Sequence, residues 1–103
     1  MKVKWFPEAK VSLRQTARYI RDQFGDKSSK EFLRDVFQKE KLLRDNPHLG
    51  PIEPLLADLP SAYRSIVVDR LNKIVYRIVD DYIEIADFWD VRREPQMLTK
   101  QLK

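Results

Sequence analysis

Residues 73–89, KIVYRIVDDYIEIADFW, decide the architecture. β-Branched and aromatic side chains dominate the stretch, and these fit a pleated, half-buried surface. It breaks at Asp80-Asp81, a pair that suits a tight two-residue turn because Asp tolerates turn conformations. The stretch reads as a hairpin with strands over Lys73–Val79 and Tyr82–Trp89. Just upstream, Tyr63–Val68 has the same character, and Asp69-Arg70-Leu71-Asn72 fits a second hairpin connection. Three antiparallel strands are therefore expected in succession.

Toward the N-terminus the period changes. Residues 47–61 hold four of the six prolines and Gly50, so they read as an irregular crossing segment, pinned by Leu55, Leu56 and Leu59. Before it, Phe32, Leu33, Val36, Phe37, Leu42 and Leu43 give one broad apolar helical face, which Asn46-Pro47 stops. Ser28 and Glu31 stand at capping-box spacing and predict the start of that helix. Ala9, Leu13, Ala17, Ile20 and Phe24 succeed one another at spacings of 4, 4, 3 and 4, the face of an earlier helix that opens at Pro7 and closes at Gly25. The short link predicts an antiparallel helix hairpin. Lys2 to Phe6 alternates as a short strand. The fold class expected is α+β, in the order β-α-α-β-β-β, with two helices on one face of the sheet.

The totals agree with one domain over 1–103. Hydrophobic residues make up 43% and aromatics 11%, enough for a core despite the small size. Cys is absent, which excludes disulfide scaffolds and thiolate chemistry and fits a cytoplasmic location. The N-terminal residues lack the apolar run of a signal peptide, and no stretch is long enough to span a bilayer, so no membrane role is expected.

Net charge is +4, unevenly spread. Residues 1–46 carry 12 basic and 7 acidic side chains, residues 47–91 carry 4 and 8, and residues 92–103 carry 4 and 1. A moderately basic chain of this kind permits an anionic partner without demanding one.

Few residues could carry chemistry. His48 is the single histidine and lies in the proline-rich loop, so neither a metal centre nor a Ser/His triad has its parts, and no cofactor is expected. Asp80-Asp81 reads as a turn, and Asp87 and Asp90 as ion-pair partners for Arg92 and Arg93. The cations are more informative. Lys10, Arg14, Arg18 and Arg21 form a stripe along the first helix at spacings of 4, 4 and 3, open to a binding role or to plain solvation. Arg64, Lys73, Arg77, Arg92 and Arg93 come on or after the strands, where antiparallel pairing can gather several onto one side of the sheet. Such a cluster suits phosphate binding and charge stabilisation in phosphoryl transfer. Lys73 and Arg77 share strand parity; that of Arg64 depends on the turn.

This ordered set of features resembles the RelE/ParE superfamily of type II toxins over nearly the whole chain. The carriers are Trp5 with the Pro7–Ala9 helix start, Asn46-Pro47 with Gly50, the strand Lys73–Val79, Ile83-Glu84-Ile85, and Val91-Arg92-Arg93-Glu94-Pro95. The resemblance implies a growth-inhibiting toxin neutralised by a cognate antitoxin, the two together in a toxin–antitoxin hetero-oligomer. RelE-like members are similar to ribonucleases that cut mRNA on the ribosome with several cations and a C-terminal Tyr, or a Glu with a His-Tyr end. ParE-like members lack those groups and resemble inhibitors of DNA gyrase. By position, Arg64, Lys73 and Arg93 fall where RelE-like enzymes place catalytic cations, and Glu53 where the His-Tyr subgroup places its Glu. The sequence departs from that pattern after Arg93, where Gln96-Met97-Leu98-Thr99 brings no Tyr, and at Val91-Arg92, which stands in place of the His-Tyr pair. Arg stays protonated near neutrality and makes a poor acid or base, leaving Glu53 as the candidate base.

The favoured expectation is ribosome-directed mRNA cleavage by Glu53, Arg64, Lys73 and Arg93. The alternatives are a ParE-like gyrase inhibitor without nuclease activity and a non-toxic protein- or RNA-binding module. The antitoxin is expected along the helix hairpin and sheet, its acidic part on the Lys10, Arg14, Arg18, Arg21 stripe and the basic C-terminus.

Overall fold

The computed structural model describes residues 1–69 and 71–91. Its elements are β1 (Lys2–Trp5), α1 (Pro7–Phe24), α2 (Asp26–Asp45), a 3-10 turn (Pro54–Leu56), β2 (Arg64–Val67), β3 (Asn72–Val79) and β4 (Tyr82–Asp90). The element order is the one expected from periodicity, and strand ends move by a single residue.

The first strand is not separate from the sheet. β1 lies parallel to β4, with Lys2 opposite Tyr82 and Trp5 opposite Ile85, so the sheet has four strands in the order β1-β4-β3-β2. β4 is thereby a central strand with both faces covered, and Ile83 through Trp89 are all buried. Strand alternation alone does not reveal this, because the pairing partner lies at the other end of the chain. A register shift between Val75 and Tyr76 places Val75 opposite Asp87 and Tyr76 opposite Ile85. Ala86 is the extra residue of that bulge, which changes the face on which the later residues of β4 lie.

Hairpin chemistry agrees with the turn residues. Asp80 takes φ 53°, a left-handed conformation that Asp tolerates better than a β-branched residue would. Asp69 Oδ1 accepts from the backbone N–H groups of Leu71 and Asn72 at 2.8 and 2.9 Å, closing the β2–β3 connection with its side chain.

The helices differ from expectation at their junction. α2 begins at Asp26, so Ser28 and Glu31 lie inside it and form no cap. Gly25, with φ 95°, turns the chain by itself, which leaves no room for a separate capping box. Ser29 instead donates from Oγ to the Ala17 carbonyl at 2.8 Å, tying the two helices together. Ala9, Leu13, Phe32, Val36 and Leu43 enter the core with Ile66, Ile74, Tyr76, Ile83, Ile85 and Phe88. Phe32 meets Phe88 edge-on, ring centroids 5.7 Å apart. Phe24, Phe37 and Leu42, expected on the apolar faces, remain exposed, as does Leu55 in the crossing segment. Phe24 ends its helix at the turn, and Phe37 and Leu42 flank the buried stripe instead of joining it.

A second, smaller apolar cluster forms from Leu56, Tyr63, Val75, Ala86 and Trp89, with Leu59 packed against it. The segment between α2 and β2 contributes to it after passing β2: Ser65 N–H donates to the Pro51 carbonyl, Glu53 N–H to the Tyr63 carbonyl, and Ile52 bridges Arg64. No helix among the described residues is long and apolar enough to cross a membrane.

Candidate functional site

Cation placement begins with strand parity. In β3, Lys73, Val75 and Arg77 alternate onto one face, while Ile74 and Tyr76 meet the helices. Arg64 stands opposite Tyr76 in the register and so starts from the helix side of the sheet. Register alone thus starts Arg64 and Lys73 on opposite faces, though Arg64 lines the same cavity as Arg77.

Glu53 and Lys73 come together. Lys73 Nζ lies 2.8 Å from Glu53 Oε2, and Ser65 Oγ donates to the same oxygen at 2.6 Å. Glu53 Oε1 accepts from Leu55 N–H at 3.3 Å. Glu53 is only 2% exposed. Burial by itself would raise its pKa. The hydrogen bonds from Lys73, Ser65 and Leu55, together with the Lys73 charge, outweigh burial and hold the carboxyl below its ordinary value.

Arg77 is bound as well. Its Nε and Nη2 donate to the two Glu84 oxygens at 2.9 and 3.3 Å, and Nη1 donates to Ser61 Oγ at 2.8 Å. The hydrogen bond to Glu84 pushes its pKa up against the opposing effect of burial. The guanidinium also lies 5.6 Å from the centre of the Tyr63 ring.

Arg64 Nη1 donates to the Gly50 carbonyl at 2.8 Å. Gly50 N–H donates to the Tyr76 hydroxyl at 2.9 Å, and that hydroxyl donates to the Pro47 carbonyl at 2.8 Å. Burial raises the Tyr76 pKa, offset in part by Gly50 and Arg64. A Cβ on Gly50 would stand 2.4 Å from the Ser65 carbonyl oxygen, so only glycine fits this crossing. His48 is held between two anchored residues, Pro47 and Gly50, and shares a cavity of about 450 Å³ with Ser61, Arg64 and Arg77. Sequence pattern alone assigns His48 to a loop and gives it no role. The signal that could mark it is its bracketing by a helix-stopping Pro and a Gly within three residues.

The stripe Lys10, Arg14, Arg18 and Arg21 is solvent-exposed along α1, and Arg21 makes an exposed 3.6 Å ion pair with Asp22. Arg92 and Arg93 lie outside the described residues.

Comparison with known proteins joins these observations. The model of the ParE toxin of the type II toxin–antitoxin system parDE matches residues 3–95. A chain of the chromosomal ParDE system from P. aeruginosa superposes with a TM-score of 0.73 at 19% identity, over 89% of this chain and 97% of that one. A YoeB/ParE toxin from Agrobacterium tumefaciens gives 0.58 at 17% identity, over 87% and 98%. The YoeB dimer from Staphylococcus aureus gives 0.57 at 21% identity, over 85% and 93%. At these identities the superpositions speak for the fold. No curated protein sequence gives a significant match.

Proposed function

The chain belongs to the family of ParE toxins of type II toxin–antitoxin systems, and from that premise we propose that it inhibits growth without cutting RNA. Its ParE-like character implies DNA gyrase as the target, and a cytoplasmic site of action goes with that target.

One observation carries this reading: Glu53 is committed to Lys73. A general base needs an accessible lone pair and a pKa near the working pH. Glu53 is buried, accepts three hydrogen bonds and is shifted away from neutrality. The pair also cancels the Lys73 charge that a transition state would need. Arg64 is occupied by the Gly50 carbonyl. These contacts hold the crossing segment onto the sheet, and they give the residues a structural task in place of a catalytic one.

The antitoxin is the natural occupant of the exposed cationic stripe Lys10, Arg14, Arg18 and Arg21. An acidic segment there would gain in association rate more than in final affinity.

A second reading, ribosome-directed mRNA cleavage, is favoured by the His48 cavity. His48 lines that cavity with Arg64 and Arg77 and brings an imidazole, the side chain most often used in general acid–base catalysis. The deciding experiment is a supercoiling assay with purified gyrase, run beside primer-extension mapping of mRNA in cells expressing the chain. Blocked supercoiling with intact message is expected, as is full toxicity in a folded Glu53→Gln variant. Codon-phased cuts that vanish in His48→Ala, with gyrase unaffected, would transfer the protein to the nuclease branch.

A further inference from the structure

A second cationic row runs beside the first. On α2, Lys30, Arg34, Lys41 and Arg44 follow at spacings of 4, 7 and 3, which keeps them on one side of the helix, and all four are exposed. On α1 the row is Lys10, Arg14, Arg18 and Arg21, also exposed. Ser29 and Ala17, joined by their 2.8 Å hydrogen bond, mark the seam between the helices. At about 3.6 residues per turn, each row comes next round its helix from the seam residue, on the side away from Ala9, Phe32 and Leu43 in the core. The two rows therefore share the outer face of the hairpin. Of the acidic residues of α2, Glu31, Asp35 and Asp45 fall further round the helix, and Asp26 stands at its first residue, beyond the end of the row. Arg21 pairs with Asp22 and Arg44 with Glu40, each at 3.6 Å. Lys10, Arg14, Arg18, Lys30, Arg34 and Lys41 make no ion pair with any described residue, unlike Lys73 and Arg77.

We propose that this outer face of the helix hairpin binds the phosphate backbone of duplex DNA. From Lys30 to Arg44 the α2 row runs about 21 Å, and packed helix axes lie about 8–10 Å apart. Two rows at that separation suit the two strands that flank one groove, about 6 Å wide on the minor side and about 12 Å on the major. A single extended acidic chain meets one row and leaves the other without a partner. Uncommitted charge is what a phosphate contact needs, because affinity comes from the counterions released as phosphates are neutralised. Phe37, 52% exposed between Arg34 and Lys41, offers an apolar surface to a thymine methyl group, which RNA lacks. The choice of DNA over RNA otherwise rests on the gyrase reading. The antitoxin segment placed on the α1 row takes half of the same face, so antitoxin and DNA exclude each other.

The test is fluorescence anisotropy of a labelled DNA duplex titrated with the full-length chain over a range of salt concentrations. Affinity should fall steeply with salt. On α2, Lys30→Gln, Arg34→Gln and Lys41→Gln together should lower affinity on the order of tenfold or more and reduce the log–log salt slope by about 2–3. On α1, Arg14→Gln with Arg18→Gln should reduce it by about 2. All five side chains are exposed, so both variants should keep their fold, which circular dichroism checks. Undiminished DNA affinity in the folded α2 variant overturns the proposal, even if binding of a polyglutamate peptide is lost. Equal affinity for an RNA duplex of the same sequence overturns it as well. The measurement involves no gyrase. A chain that binds DNA through both rows yet leaves supercoiling untouched refutes the proposed target and keeps this surface; one that blocks supercoiling without binding DNA does the reverse.

Discussion

The same four strands present two faces, and the two are closed by different means. On one side Ile74, Tyr76, Ile83, Ile85 and Phe88 meet α1 and α2 through apolar contact. On the other, Val75, Ala86 and Trp89 meet Leu56, Tyr63 and Leu59 from a segment with little regular structure. A helix satisfies its own backbone and needs only to offer an apolar stripe. An irregular segment cannot, so it borrows partners from the sheet edge and from side chains. Glu53–Lys73 and Arg77–Ser61 are such fasteners on this face, while Arg64–Gly50 and Tyr76–Pro47 hold the start of the segment from the helix side before it crosses. Charge on the loop-covered side is therefore committed to attachment: Lys73 and Arg77, suited to phosphate in the sequence, are each paired with a carboxylate in the fold.

Substitutions on each side should separate the two modes. The largest effect is expected on the helix side. Phe88→Ala removes a ring that is 1% exposed and edge-on to Phe32, at a cost of about 3–5 kcal/mol. Urea denaturation should show a single cooperative loss. A cost under about 1 kcal/mol would mean that the helices do not depend on this contact.

Close behind it, Lys73→Met strands the buried Glu53 carboxylate and should cost about 3–5 kcal/mol. The double variant Glu53→Leu, Lys73→Met should regain most of that stability, because the pair's worth is offset by its desolvation. If the double variant is no better than the single, the pair is a net source of stability and its desolvation does not offset its worth.

How far these roles are legible from sequence differs between the sides. The helix side is nearly all local pattern: Ala9, Leu13, Val36 and Leu43 announce themselves by spacing, as do the β3–β4 strands and Asp80-Asp81. The exceptions are Phe24, Phe37 and Leu42, apolar residues at plausible positions that lie off the buried stripe. The loop side depends on contacts between residues distant in sequence. Glu53 meets a lysine 20 positions on, and Arg77 reaches Ser61 at a separation of 16. No local period encodes such partners, so in sequence Lys73 and Glu53 look like separate chemical groups. Trp5 is a similar case. Its Nε1 donates to Glu40 at 3.0 Å, a contact between β1 and α2 that neither element foretells.

A smaller effect is expected for Tyr76→Phe. Losing the hydroxyl leaves the buried Gly50 N–H without its acceptor, a cost of about 1–3 kcal/mol. Thermal melts should fall, and hydrogen exchange should rise first at Gly50. Uniformly faster exchange across the sheet would contradict a fastener confined to the crossing segment.

The mildest test is pH. The Glu53 pKa is lower in the folded chain than its ordinary value of 4.5. The associated stability is fully present above that ordinary value and is lost as pH falls through the depressed one. Glu53→Gln should lower stability at neutral pH and flatten the acid limb of the stability profile. An acid limb unchanged in shape would place its origin in other carboxylates.

The parallel pairing of β1 with β4 also bears on when this protein can become harmful. Lys2 aligns with Tyr82, so strands 80 positions apart must meet before the sheet is complete. Contacts of such long range form late, because the loop must close before the pairing rewards it. At roughly 5–20 residues per second on the ribosome, β1 waits several seconds for a partner 80 positions later. A nascent chain interrupted anywhere before β4 lacks its central strand, so truncated translation products should be inert. Potency waits for the synthesis of β4, and a premature stop codon upstream of Tyr82 is enough to disarm the gene.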